Sequence, residues 1–101
     1  MAVPTIQDVQ KKVIPVLEEF GVRKAVLFGS IAKGTATECS DLDMMVDSGL
    51  KGLDFVDLIV CVEEAIGIPV DLLDVTHIRK GSRVDQEILK TGVSIYERYP
   101  N

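Results

Sequence analysis

Cysteine and histidine are scarce in this chain: Cys39 and Cys61 stand far apart, and His77 is the single histidine. Without Cys-x-x-Cys spacing, two isolated thiols and one imidazole do not make a zinc site. Two free thiols point to a reducing compartment. Cys61 falls in a helical pattern where packing accounts for it, and Cys39, two residues before Asp41, is expected to be an accessible thiol without a catalytic role, reactive thiols being rare. No apolar run is long enough to span a bilayer and no signal-peptide pattern opens the chain, so a cytoplasmic protein without membrane contact is expected. Positive charge is also short: 11 Lys and Arg face 16 Asp and Glu, a net charge of −5. That balance lacks the broad basic footprint that holds a duplex or a long RNA, which speaks against a template-copying polymerase. It does not exclude a nucleotide held through a metal. Repeats and low-complexity tracts are absent. The 101 residues are expected to form one domain, 1–101, burying about two-thirds of the surface of the unfolded chain.

The chemistry concentrates in two short stretches. An apolar run from Ala25 to Phe28 ends in Gly29-Ser30; ten residues later comes Ser40-Asp41-Leu42-Asp43, opening a second apolar run. A strand places alternate side chains on one face, so Asp41 and Asp43 are expected to point the same way. Two carboxylates that close repel, the more so away from water, and a cation between them relieves the repulsion. Hard oxygen ligands beside a Gly-Ser turn suit Mg²⁺, which commonly shares them with substrate phosphates. Pro69 to Leu73 reads as a further strand with one acid, Asp71, inside it. Placed beside the others, Asp71 completes a triad able to hold two metals, a pair that clamps the attacking and leaving oxygens of a phosphoryl displacement.

Around these stretches the pattern alternates helix and strand. Thr5-Ile6-Gln7-Asp8 resembles a capping box and opens a helix with Ile6, Val9, Val13, Val16, Leu17 and Phe20 at helical spacing. Pro15 should kink it, and Gly21 stops it. A strand is expected over 24–28, a short helical turn with free N–H groups facing the site over 30–33, a loop over 34–40 and a strand over 42–46 closed by Asp47-Ser48-Gly49. A helix over 53–66 carries the core stripe Phe55, Leu58, Ile59, Val62, Ala65 and Ile66. Val56 and Val60 fall off that stripe, as ordinary surface valines or as a partner contact. Gly67 closes the helix. His77, Arg79, Lys80 and Arg83 make the densest basic stretch, read as a solvated loop or as a phosphate or partner contact. A helix over 84–90, ended by Gly92, and an edge strand over 93–96 complete the chain. The alternation predicts an α/β or α+β fold, helices packed on a mostly single sheet.

Phe28-Gly29-Ser30, then Asp41-Leu42-Asp43 after a spacer of about ten residues, then Asp71 in a later strand, resemble the minimal nucleotidyltransferase (MNT) domain of the DNA polymerase β-like nucleotidyltransferase superfamily. The resemblance covers nearly the whole chain. It implies a mixed sheet with packed helices, and Mg²⁺-dependent transfer of a nucleoside monophosphate, AMP from ATP, to a hydroxyl. It also implies that Asp41, Asp43 and Asp71 bind two Mg²⁺ ions, Asp71 holding the one that activates the attacker. Gly29, Ser30, Lys33 and Ser40 would hold the triphosphate; Gly29 lets phosphate approach the backbone. Where the family carries Ala-Arg-Gly after the turn, this chain has Ala32-Lys33-Gly34, which keeps the charge and loses the two-point fork. Nothing in the chain positions an acceptor, so the acceptor is expected from another chain. Family members of this size are similar to antitoxins paired with a helical HEPN-domain toxin, which some modify by attaching AMP to a tyrosine. The alternative is a module, non-catalytic or weakly catalytic, that neutralises or scaffolds a partner in a homo- or hetero-oligomer.

Overall fold

The computed structural model describes residues 3–98. Helix α1 (Ile6–Glu19) leads into strand β1 (Lys24–Phe28), which passes directly into the short helix α2 (Gly29–Lys33). Strand β2 (Leu42–Asp47), helix α3 (Leu53–Ile66), strand β3 (Val70–Asp74), a 3-10 turn (Val75–His77), helix α4 (Arg83–Thr91) and strand β4 (Val93–Glu97) follow. The strands form one sheet in the order β3-β2-β1-β4. β1 is antiparallel to both β2 and β4, whereas β2 and β3 are parallel. The expected alternation and mixed sheet are therefore present.

Local chemistry accounts for most of the boundaries. Thr5 and Asp8 form the capping box: Asp8 N–H donates to the Thr5 hydroxyl at 3.1 Å and Thr5 N–H to the Asp8 carboxylate at 3.0 Å. α1 continues through Pro15 as one helix, the proline being exposed. Gly67, at φ +79°, ends α3 in the left-handed conformation that glycine adopts without strain. β2 runs one residue further than its sequence suggests. Arg23 N–H donates to the Asp47 carbonyl at 2.9 Å, and Asp47 stands opposite Lys24, so pairing with β1 carries the strand through a residue whose own preference is for a turn.

Alternation along the strands separates two faces. Ala25, Leu27, Leu42, Met44, Val46, Leu72 and Ile95 turn to one side and join Val9, Val13 and Leu17 of α1 with Phe55, Leu58, Val62 and Ile66 of α3 in a single core. Burying each such aliphatic side chain is worth about 1.5–3 kcal/mol, which makes this layer the main hydrophobic contribution to stability. The opposite face carries Val26 and Phe28 of β1, Asp43 and Met45 of β2, and Asp71 and Leu73 of β3. α4 packs there against β1 and α2. The part of this face formed by β2 and β3 stays more open: Asp43, Met45 and Leu73 are half-buried and Asp71 is exposed.

Val56 and Val60 lie outside the core as expected, 49% and 45% exposed, and Leu53 joins them at 82%. The three recur at helical spacing and make one apolar stripe on the outer side of α3.

Candidate active site

β1 delivers Gly29 to the end of the sheet at φ +77°, a backbone conformation that favours glycine. A Cβ built on Gly29 would collide with Asp43 Oδ2, so an absent side chain is what allows turn and carboxylate to lie in contact. Asp43 stands opposite Phe28 on one side and opposite Asp71 on the other. Directly paired residues on neighbouring strands point to the same face, which brings Asp43 and Asp71 together. Asp41, one residue ahead of β2, is exposed and near enough to act on Asp43 through its charge. The Asp43 carboxyl titrates above its ordinary value, first because it is partly desolvated and then because Asp71, Asp41 and Glu87 crowd it with like charge.

Glu87 was not anticipated from sequence. It sits on the inner side of α4, and its carboxylate pairs with Lys33 Nζ at 3.7 Å. One turn on, the Thr91 hydroxyl accepts the Gly29 N–H at 3.0 Å and donates to the Glu87 carbonyl at 2.9 Å. The Gly29 N–H is therefore engaged by α4, which uses that donor to hold the turn, while the helical turn expected over 30–33 follows it as α2. The only sequence signal was the i, i+4 spacing of Glu87 and Thr91, and spacing does not say what a helix face will meet.

Ser30 is in the first turn of α2, next to Gly29, and Lys33 in its last turn. The Ser40 hydroxyl accepts the Thr37 N–H at 2.9 Å and so closes the loop that leads into Asp41. Its visible task is to shape that loop. A cleft of about 670 Å³ lies beside the start of α1, lined by Val3, Ile6, Gln10, Ile31, Lys33 and Ala36.

A second unanticipated acid, Asp74, anchors the other end of the sheet. It is 2% exposed, and its carboxylate accepts from the Ser48 backbone at 3.0 Å and hydroxyl at 2.6 Å, and from the Thr76 backbone at 3.0 Å and hydroxyl at 2.7 Å. Burial by itself would raise its pKa, but these hydrogen bonds from Ser48 and Thr76 outweigh that and hold it at about 2. Asp74-x-Thr76 at a strand end is a recognisable Asx turn and was the available clue. His77 belongs to the same joint: its Nδ1 accepts the Asp74 N–H at 3.2 Å, and its ring meets Phe55 edge-on at 5.2 Å.

Among the described residues no group of three His, Cys, Asp or Glu side chains is placed to hold a metal ion. The donor chemistry nonetheless fits a hard divalent cation. Asp43 and Asp71 are carboxylates on paired positions and Asp41 adds a third nearby; partial desolvation first, and then the like charges of Asp71, Asp41 and Glu87, raise the pKa of Asp43, and a cation would offset that crowding.

The family model described as polymerase beta, nucleotidyltransferase, matches residues 11–101. The chain belongs to the polymerase β nucleotidyltransferase family. A Methanocaldococcus jannaschii protein, provisionally named a protein adenylyltransferase (MJ0435), is 40% identical to this nucleotidyltransferase over 70 residues, 67% of this chain and 75% of the other. Protein adenylyltransferase MntA of Thermococcus cleftensis is 39% identical over 69 residues, 63% of this chain and 67% of its own. Among solved structures, a toxin-antitoxin with AMP-PNP matches at a TM-score of 0.71 and 26% identity, over 87% of this chain and 73% of that one. The nucleotidyltransferase is thus similar both to proteins named for adenylyl transfer and to a chain of a toxin-antitoxin assembly. Among the described residues no helix is long and apolar enough to cross a membrane.

Proposed function

We propose that this nucleotidyltransferase is a Mg²⁺-dependent protein adenylyltransferase: it transfers AMP from ATP to a tyrosine hydroxyl of a helical HEPN-domain toxin and so acts as the antitoxin. The observation that carries the reading is the pairing of Asp43 with Asp71 beside a glycine turn in contact with Asp43. The names of the relatives and the toxin-antitoxin neighbour with AMP-PNP support the choice of adenylyl transfer over other nucleotidyl chemistry.

Lys33 and the Gly29-Ser30 turn lie on the β1 side of Asp43 and Asp71 lies on the β3 side. The turn and Lys33 bind the β- and γ-phosphates, Lys33 exchanging Glu87 for phosphate, and Ser40 orders the loop at the nucleotide. The hydroxyl oxygen of the acceptor bonds to the α-phosphorus as the bond to the bridging oxygen breaks. Pyrophosphate departs on the Lys33 side and the hydroxyl proton on the Asp71 side. Asp41, Asp43 and Asp71 would hold Mg²⁺, as two ions, which supply charge neutralisation on the triphosphate and a lowered pKa for the attacking hydroxyl. The chain works as a single domain in the cytoplasm.

The test mixes the purified chain with α-labelled ATP and the product of the neighbouring gene, with and without chelator. Label on a partner tyrosine, lost in chelator and on Tyr→Phe substitution of the acceptor, is expected; an unlabelled partner would overturn the reading. The apolar stripe Leu53, Val56 and Val60 favours a second reading, a module that neutralises its partner by binding alone. Under that reading Asp43→Asn would neutralise the toxin as well as the unchanged chain does; under the first it would not.

A further inference from the structure

Beyond the carboxylates, the same face of the sheet changes character in one step. On β3 the residue two beyond Asp71 is Leu73; on β2 the residue two beyond Asp43 is Met45, directly opposite Leu73. On the inner side of α4 the residue one turn before Glu87 is Val84. Three neighbouring elements thus pass from acid to apolar in the same direction, away from Gly29. At the far end a hollow of about 360 Å³ opens between β3 and the start of α4, lined by Leu73, His77, Ile78, Arg79, Ser82 and Val84. Arg79, Lys80 and Arg83 are exposed around it. Among the described residues none of the three makes an ion pair, whereas Arg23 and Lys33 do.

The direction of the reaction says which substrate passes there. In a phosphoryl displacement the attacking and leaving oxygens stand roughly in line. With the leaving pyrophosphate toward Lys33, the attacker enters over Asp71, and what flanks it continues over Leu73 into the hollow. We infer that this groove between β3 and α4 receives the polypeptide segment flanking the acceptor hydroxyl, and that the segment is acidic with an apolar residue. Leu73, Ile78 and Val84 take the apolar side chain, and Arg79, with Lys80 and Arg83 at the rim, takes the carboxylates. The inference rests on the adenylyl-transfer reading for the direction of entry. Its charge argument stands apart: a protein of net charge −5 repels acidic chains everywhere except at such a local patch.

The probe is a fluorescent random copolymer of glutamate and tyrosine, with binding followed by anisotropy. The unchanged chain is expected to bind it saturably. Arg79→Glu with Lys80→Glu and Arg83→Glu should weaken that binding about tenfold or more. Lys11→Glu with Lys12→Glu and Lys51→Glu makes the same change of net charge at exposed positions away from the groove, and should have a much smaller effect. Val84→Ser, which alters no charge, should also weaken binding. Absent binding, equal loss in the two charge-reversed variants, or no effect of Val84→Ser would overturn the groove. So would a loss of ATP affinity in the Arg79 variant, which would make the hollow a base pocket. The two proposals fail separately. Selective copolymer binding without AMP on any tyrosine rejects adenylyl transfer and keeps the groove, whereas labelled partner with groove variants indistinguishable from the unchanged chain does the reverse.

Discussion

At Asp43, stability and activity are set against each other. Desolvation and the charges of Asp71, Asp41 and Glu87 raise its pKa, so its ionised form is a cost to the metal-free fold. Asp43→Asn is expected to melt no earlier than the parent in chelator while AMP transfer falls at least about a hundredfold, because a few kcal/mol of transition-state stabilisation are lost. Thermal melting beside the transfer assay checks both halves. A variant that melts much earlier yet transfers normally would make this aspartate structural. Lys33 makes the complementary case. Its pair with Glu87 is half exposed at 3.7 Å and adds little to stability. Lys33→Ala should leave the melt nearly unchanged and weaken ATP binding about tenfold, while Lys33→Arg preserves or improves it. Calorimetric titration with ATP and Mg²⁺ decides, and equal affinities in all three proteins would return Lys33 to the surface.

Helix α4 is the element whose role is least visible in its own sequence. Its inner face fixes the Gly29 turn through Thr91 and adds a carboxylate through Glu87. Thr91→Val keeps the shape but removes the acceptor of the Gly29 N–H. A loss of about 1–2 kcal/mol is expected together with slower AMP transfer, and Thr91→Ser, which retains the hydroxyl, should restore both. A Thr91→Val protein with unchanged stability and rate would show that α4 does not hold the turn. The joint between β3 and the 3-10 turn is held by Asp74, whose folded pKa of about 2 lies below that of an unfolded aspartate. Its contribution, on the order of 2 kcal/mol, is therefore complete above about pH 4 and disappears as pH falls through about 2. Acid melting of Asp74→Ala should accordingly show a shallower slope across that window on top of lower stability at neutral pH. The same slope in both proteins would locate the acid sensitivity elsewhere.

For the whole molecule, the two sides of α3 predict opposite outcomes. Phe55, Leu58, Val62 and Ile66 belong to the core, whereas Leu53, Val56 and Val60 face out. Val56→Asp with Val60→Asp should shift the melting free energy by less than about 1 kcal/mol, as exposed substitutions do, and reduce the mass of the assembly formed with the cognate partner. Analytical ultracentrifugation reads the second effect, and an unchanged profile with partner would leave both valines as plain surface.

The sequence by itself determined the order of elements, the core stripe of α1, that of α3 except for Ala65, and the candidate acids. Capping residues, helical spacing and strand alternation act over a few residues, so they can be read along the chain. The Gly-Ser turn was legible for the same reason, whereas Asp41 stands one residue ahead of β2, outside the strand whose alternation was expected to align it with Asp43. Tertiary structure alone decided what lies across from what. The parallel register that puts Asp71 beside Asp43, the contact of Gly29 with Asp43, and the docking of Glu87 and Thr91 on the site all join residues far apart in sequence. β2 extends through Asp47 because a neighbouring strand supplies the hydrogen bonds that Asp47 would otherwise seek in a turn. Pairing between distant segments has no local signature, because the energy of a cross-strand pair resides in both partners and appears only once the chain has brought them together.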